Sequence, residues 1–391
     1  MRVIVPHDID LKSTSVADDS ESEWASITTY ALGARVKVST AFPHRIYKSL
    51  RGNNTNRPPA AWLVPQQEVA TSADAITPGI GQQTFNVATL LGFAAGMQVR
   101  IAKTLTPSSI NMTGEISSYS SATGVLVVLV ASAQGTGSHS GWTITSEDEI
   151  GYWEEVSVTN RHKMFDGYMN TKTVDENEIN VKLNVSTADY VALFGLVGTD
   201  VEFKLWDSSE TTLLWSSSVS LVYGASIVAA MADWYEYFFG AYSFQEDTSA
   251  NIGTITYDGV LELIITAATG EEAECGGVIV GRQFSLGITR LGASAGMIDF
   301  TRRETDALGR TSIVEGYWAK RNTLQVVVPN YAVDMVYKVL TGLRGKPTAW
   351  LGNNDGTGFE SMSVFGVCRD WSIVFSGPTR AGLDIEIEGM I

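Results

Sequence analysis

Short runs that alternate apolar and polar residues recur along this chain, and turn-forming residues close each one off. Arg35-Val36-Lys37-Val38, Ile179-Asn180-Val181-Lys182-Leu183, Val201-Glu202-Phe203-Lys204-Leu205-Trp206 and Val260-Leu261-Glu262-Leu263-Ile264-Ile265 all carry a period of about two. That period puts successive side chains on opposite faces of an extended segment, so each run predicts a strand with a buried face. The 37 glycines supply turns between them. The predicted fold is mainly β and multi-domain, with β-sandwich or jelly-roll-like bodies. With 391 residues, 44% of them hydrophobic and 18% charged, the chain can bury two or three cores. One helix interrupts the pattern. Val333, Val336, Tyr337, Leu340 and Leu343 form a stripe at helical spacing, with Asn330 as the expected cap and Gly345 and Pro347 as the stop.

The runs divide the chain into five parts. Residues 1–23 read as an N-terminal arm, because Val3-Ile4-Val5 is followed by a Ser/Asp/Glu stretch without periodicity. Residues 24–66 and 148–158 read as one small aromatic module split by an insertion. Residues 67–147 are the inserted β-module, with strands expected at Thr84–Val87, Met97–Ile101, Gly114–Tyr119, Val125–Val130 and Trp142–Ile144. Its two ends must lie close together, since both join the host module. Residues 159–280 read as a β-sandwich that includes the aromatic run Trp234–Phe239, and residues 281–391 as a C-terminal unit with the single helix.

Charge and special residues exclude several functions. A formal net charge of −16 argues against nucleic acid and against an electrostatic hold on anionic membranes. The N-terminus lacks the apolar core of a signal peptide and no apolar run is long enough to span a bilayer. The expectation is a protein made in the cytoplasm and released by a non-secretory route. Cys275 and Cys368 are too few for a disulfide framework and read as free, buried thiols, although sequence leaves pairing open. His7, His44, His139 and His162 show no metal-ligand spacing, so no metal or cofactor is expected. No nucleophile elbow, P-loop, dinucleotide fingerprint or zincin motif occurs. Glu154, Glu155, Asp299 and Glu304 are the carboxylates a glycosidase reading would use, but an acidic chain offers such residues anywhere.

The split module holds the candidate ligand site. Exposed Tyr47, Trp62 and Trp153 could stack on pyranose faces, and Asn53 and Asn54 (or Asn56) could read hydroxyls. Trp24 and Tyr30 sit in the strand framework and read first as core. The competing reading is that about forty residues without disulfide or metal must spend their aromatics on a core of their own. Arg302-Arg303, Arg310 and Lys320-Arg321 form a second notable group, a cationic cluster on an acidic chain. Strand alternation turns some of them outward, either to solvent or to acidic loops of a neighbouring subunit.

Met1–Pro6, Glu23-Trp24, Thr28–Gly33, His44–Leu50 and Thr159–Asp166, in that order, resemble the N-terminal half of baseplate or tail-tip proteins of long-tailed phages. The first aromatic stretch and Trp153 are similar to small chitin-binding modules. Phe93–Ala102 and Gly141–Ile144 resemble a β-module of tail fibres, and Gly296–Asp306 resembles the C-terminal part of the same tail proteins. The resemblance implies a structural, non-enzymatic virion protein of the distal tail. Its implied partners are further copies of itself, other tail or baseplate proteins, and host surface polysaccharide. A polysaccharide depolymerase and a stand-alone sugar-binding adhesin are the alternatives.

Overall fold

The computed structural model describes residues 1–391 except 53, 65, 223–244, 254–257, 306–309 and 353–359. Strands make up 55% of it and helical segments 7%. The chain divides into two compact units, residues 1–18 with 160–391, and residues 19–159. The aromatic run Trp234–Phe239 lies outside the described residues.

The larger unit is built on an antiparallel sheet of ten strands. Its order runs Thr248–Asn251, Tyr190–Phe194, Gly277–Ser285, Arg2–Pro6, Thr348–Leu351, Ser363–Phe375, Arg380–Gly389, Trp318–Pro329 and Ile288–Thr289, with Ser294–Asp299 also paired to Trp318–Pro329. Arg2–Pro6 is therefore not part of a free arm. Arg2 pairs with Ser285 on one side and Leu351 on the other, and Ile4 pairs with Gln283 and Ala349. Val3 and Ile4 are fully buried, on opposite faces of the sheet: Val3 joins the cluster under the helix and Ile4 the cluster with Tyr190, Phe194 and Phe365. Pro6 lies beyond Ile4, where pairing with Thr348–Leu351 ends, so one edge of the strand is already unpaired there. The chain then crosses to a second sheet, where Asp10–Thr14 forms an edge against Glu178–Val185. That edge strand is mostly exposed and polar, which is why its sequence shows no periodicity.

The second sheet has the order Leu213–Ser220, Asp200–Asp207, Gly259–Thr266, Glu178–Val185 and Asp10–Thr14. Ile179, Val181, Leu183, Phe203, Leu261, Leu263 and Ile265 point inward and pack with Val191, Leu193, Val278 and Val280 of the large sheet. A second cluster, on the other face of the large sheet, packs Tyr190, Phe194 and Ile279 with Ala349, Leu351 and Phe365, and so joins residues on both sides of the expected boundary at 280. The boundary falls inside the strand Gly277–Ser285, so residues 160–391 are one body rather than two.

Among the described residues the one α-helix is Val333–Gly342. Val333, Val336, Leu340 and Leu343 pack on Leu324, Val326, Leu383 and Ile385 of the sheet, as the stripe requires. Tyr337 sits at the rim, half exposed and edge-on to Trp371 at 5.3 Å. Asn330 does not cap the helix. It begins a 3-10 turn, Asn330–Ala332, and its amide donates to the carbonyl of Gly377. The turn intervenes between the expected cap and the first α-helical residue.

The smaller unit contains a six-stranded antiparallel sheet in the order Gln66–Ser72, Trp142–Ile150, Gln98–Lys103, Asn111–Tyr119, Val125–Gln134 and Gly81–Asn86. Alternate residues Val99 and Ile101, Met112 and Ile116, Leu126 and Val128, and Trp142 and Ile144 fill its core with Phe85. Gln67 pairs with Glu149, so the segment leaves and re-enters on adjacent strands. A separate three-stranded sheet consists of Trp153–Val158, Arg45–Ser49 and Arg35–Val38.

Two predictions follow from packing. A Cβ on Gly281 would lie 2.0 Å from the Val5 carbonyl oxygen, across the central strand pair. Gly281→Ala should lower stability by at least about 3 kcal/mol, above the range of ordinary overpacking, measured as a fall in the chemical-denaturation midpoint. Both cysteines are free; Cys275 is buried and Cys368 only half-buried. Burial pushes the Cys275 thiol up to about 12, and burial aided by Asp370 pushes Cys368 up to about 11. Thiol titration of the native protein should label Cys368 slowly and Cys275 only after unfolding.

Candidate functional site

The small sheet positions the residues that the sequence singled out, but most of them face inward. Tyr47 and Trp153 are 3% and 1% exposed and share a core with Tyr30, Val36 and Tyr152. Trp153 packs edge-on to Tyr30 at 5.4 Å, and its indole N–H donates to the Arg57 carbonyl at 2.8 Å. Burial, reinforced by Glu155, holds the Tyr47 phenol above its ordinary pKa. Asn54 is fully buried, and its amide donates to Ser49 Oγ and to the Tyr152 carbonyl. Asn53 lies outside the described residues. Tyr47, Trp153 and Asn54 therefore serve as internal framework and have no free face to offer a sugar. The physical reason is size: a sheet of three short strands can exclude water only by packing its own aromatics. Trp62 differs. It is half-buried and packs edge-on to Tyr152 at 4.9 Å.

Trp62 belongs to a node that joins the small sheet to the inserted one. Glu68, on the first inserted strand, is 3% exposed. Its carboxylate takes a salt bridge from Arg57 Nη2 at 2.6 Å and a hydrogen bond from the Tyr152 hydroxyl at 2.5 Å. The Glu68 amide donates to Ser146 Oγ at 2.8 Å, on the strand through which the insertion returns. The Arg57 guanidinium lies 4.7 Å from the Trp62 ring centroid and 5.1 Å from that of Tyr152, within cation–π range. Burial, together with the Glu68 carboxylate, raises the Tyr152 phenol far above its usual pKa, so it stays a donor. A Cβ on Gly92 would fall 1.3 Å from that hydroxyl, so this turn of the inserted module closes over the node only as glycine. Arg57, Glu68 and Tyr152 were not candidates from the sequence. The signal available was that Glu68 is the only charge between Arg57 and Asp74.

The cationic cluster also resolves. Lys320 pairs with Asp247, and Arg321 with Glu386 at 2.5 Å. Arg302 and Arg303 instead lie on a β-ribbon, where Arg302–Thr305 pairs with Thr311–Val314. This ribbon continues the pairing of Ser294–Asp299 with Trp318–Thr323. Every described residue from Arg302 to Glu315 is exposed, and Met297, Phe300, Ile313, Val314, Tyr317 and Trp318 expose large apolar or aromatic side chains along it. A two-stranded ribbon is marginal in water without something covering a face.

The four carboxylates of the glycosidase reading divide between the two units. Glu154 and Glu155 pair with Lys48 and Arg45 in the small sheet. Asp299 accepts from the Thr301 amide at 2.9 Å, and hydrogen bonding from the Thr301 side chain and backbone holds it below the usual carboxylate range.

No protein-family model matches this chain, and no curated relative was found by sequence.

The node predicts a stability defect. Glu68→Ala would leave the Arg57 guanidinium buried without its counter-charge, a loss of about 3–5 kcal/mol. Hydrogen exchange should show it as lost protection in Gln66–Ser72 and Trp142–Ile150, with the core of residues 160–391 unchanged.

Proposed function

We propose that this protein is a structural component of the distal tail of a phage. In this reading it works as a homo-oligomer that joins other tail or baseplate proteins and helps hold host surface polysaccharide. The observation that carries the assembly part is the exposed β-ribbon in which Arg302–Thr305 pairs with Thr311–Val314. Its strands cover each other only edge to edge, and both of its faces carry apolar residues in water. The occupant is a second copy of the chain. Residues 301–316 carry Arg302, Arg303 and Arg310 against Glu304, Asp306 and Glu315, a formally neutral stretch of a chain of net charge −16, so it can meet a like-charged copy without net repulsion. Burying the ribbon would also remove the exposed edge that otherwise invites unregulated pairing. The sequence resemblance to tail-tip proteins supports the same reading, as does the mainly β, modular architecture. Weak sugar contacts repeated over many copies would give avidity without a tight single site.

The test is to replace residues 301–316 with a short glycine turn and measure mass by light scattering on a sizing column. The full chain should run as a defined oligomer, and the shortened chain as a folded monomer with unchanged circular dichroism. A full chain that stays monomeric at about 100 µM, or a shortened chain that keeps the same oligomer, would overturn the assembly reading. Antibody labelling of virions that marks any site other than the tail tip would overturn the location.

A further inference from the structure

The sugar-binding expectation began with aromatics of the small module, which the fold buries. A different place in the larger unit combines open aromatic faces with hydrogen-bonding groups. Along the strand Trp318–Pro329, alternate positions run from buried Leu324 and Asn322 through half-buried Lys320 to exposed Trp318. Polarity and exposure rise toward this strand end, which lines a pocket of about 270 Å³. Phe194, Phe365 and Met390 supply apolar wall, Asn170, Lys172 and Glu246 supply polar rim, and Tyr317 and Trp318 stand at the mouth.

The polar end of the pocket is built around Asp247. It is 6% exposed, accepts from Lys320 Nζ at 2.5 Å and from the Gly195 amide at 3.2 Å, and its own amide is held by Glu360. Lys320 also reaches the Ser363 carbonyl at 3.5 Å. A carboxylate has about four acceptor sites and an ammonium three donors. Among the described residues, Asp247 and Lys320 each keep capacity for another partner. Taking such a pair out of water contributes little to stability compared with an apolar pair of the same volume. Burial pushes the Asp247 carboxyl up to about 6 despite the lysine, which marks how much solvation it has lost. Tyr317 and Trp318 are 65% and 53% exposed, and neither ring pairs with another aromatic among the described residues.

We propose that this pocket binds one neutral pyranose ring, stacked on Trp318, with its hydroxyls bridging Asp247 and Lys320. The volume is below the ~300–1,000 Å³ of pockets for drug-sized ligands, which suits a single small ring. Lining cations Lys172 and Lys320 balance lining anions Glu246 and Asp247, so a strongly charged ligand gains no net attraction. Hydroxyl groups both donate and accept, which lets one ring satisfy a carboxylate and an ammonium side by side. The choice of a sugar rests on the attachment part of the proposed function, whereas the place of the site comes from the geometry.

Saturation-transfer NMR on the full chain, with glucose, galactose and N-acetylglucosamine as probes and glucuronate and glucosamine as charged controls, tests it. At least one neutral probe should show ring-proton transfer at millimolar concentration. That signal should fall at least tenfold in Trp318→Ala and in Lys320→Gln, with unchanged circular dichroism and melting temperature in Trp318→Ala. Equal transfer in Trp318→Ala would place any sugar elsewhere and overturn the pocket. No transfer from any neutral probe, or transfer only from a charged control, would overturn the ligand class. Oligomeric mass measured on the same samples separates these outcomes from failure of the assembly reading.

Discussion

The larger unit depends on one strand being paired along both edges. Arg2–Pro6 lies between Gly277–Ser285 and Thr348–Leu351, and these belong to two runs of chain that otherwise share no direct pairing in the sheet order. Without it, each would expose a row of unpaired amides and carbonyls. The strand also bridges the apolar clusters on both faces, through Val3 on one side and Ile4 on the other. Its partners lie about 280 and 350 residues away in the chain, so the sheet closes through strongly non-local pairings. Such contacts carry a large loop-closure cost and form slowly. The Gly281 position, with no room for a side chain against Val5, shows how closely the two backbones must approach.

That arrangement explains what the sequence revealed and what it hid. Strands with one wet face, such as Glu178–Val185 and Asp200–Asp207, announce themselves by alternation. Tyr190–Phe194 is buried at every position and has no alternation to read. Arg2–Pro6 is apolar enough for a strand, yet nothing local shows that it will be central, because its partners are distant. The expected boundary at 280 falls inside the strand Gly277–Ser285, because a composition change within a strand does not mark the edge of a core. The aromatic module posed the opposite difficulty, with a platform and a core both open as readings. Tyr47 and Trp153 are the right residue types for a platform, but three short strands need those rings inside. The ribbon's arginines were legible as a cluster, while their division into paired Lys320 and Arg321 and exposed Arg302 and Arg303 depends on side chains far along the chain.

Both buried charge clusters lie where apolar packing alone would leave geometry loose. Arg57, Glu68 and Tyr152 fix one small sheet against another through directional bonds, in a place where each sheet has little area to offer. A buried ion pair adds little net stability over an apolar pair, but its directionality selects one arrangement. The Asp247–Lys320 pair is placed differently, at the open end of a core face, where the same directionality is turned toward an open pocket rather than another strand.

The pairing of Gln67 with Glu149 has a consequence for how such a chain can change over time. A segment that leaves and returns on neighbouring strands places no demand on the length or shape of what lies between. A different module could be spliced in there without shifting the register of Trp153–Val158 on Arg45–Ser49. The splice would not be free of conditions. Glu68 and Gly92 travel with the insert, whereas Arg57 and Tyr152 stay with the host, so a portable replacement must bring its own acid and its own gap for the phenol. The inserted module is thus a cartridge with a keyed socket, and the key is a single carboxylate.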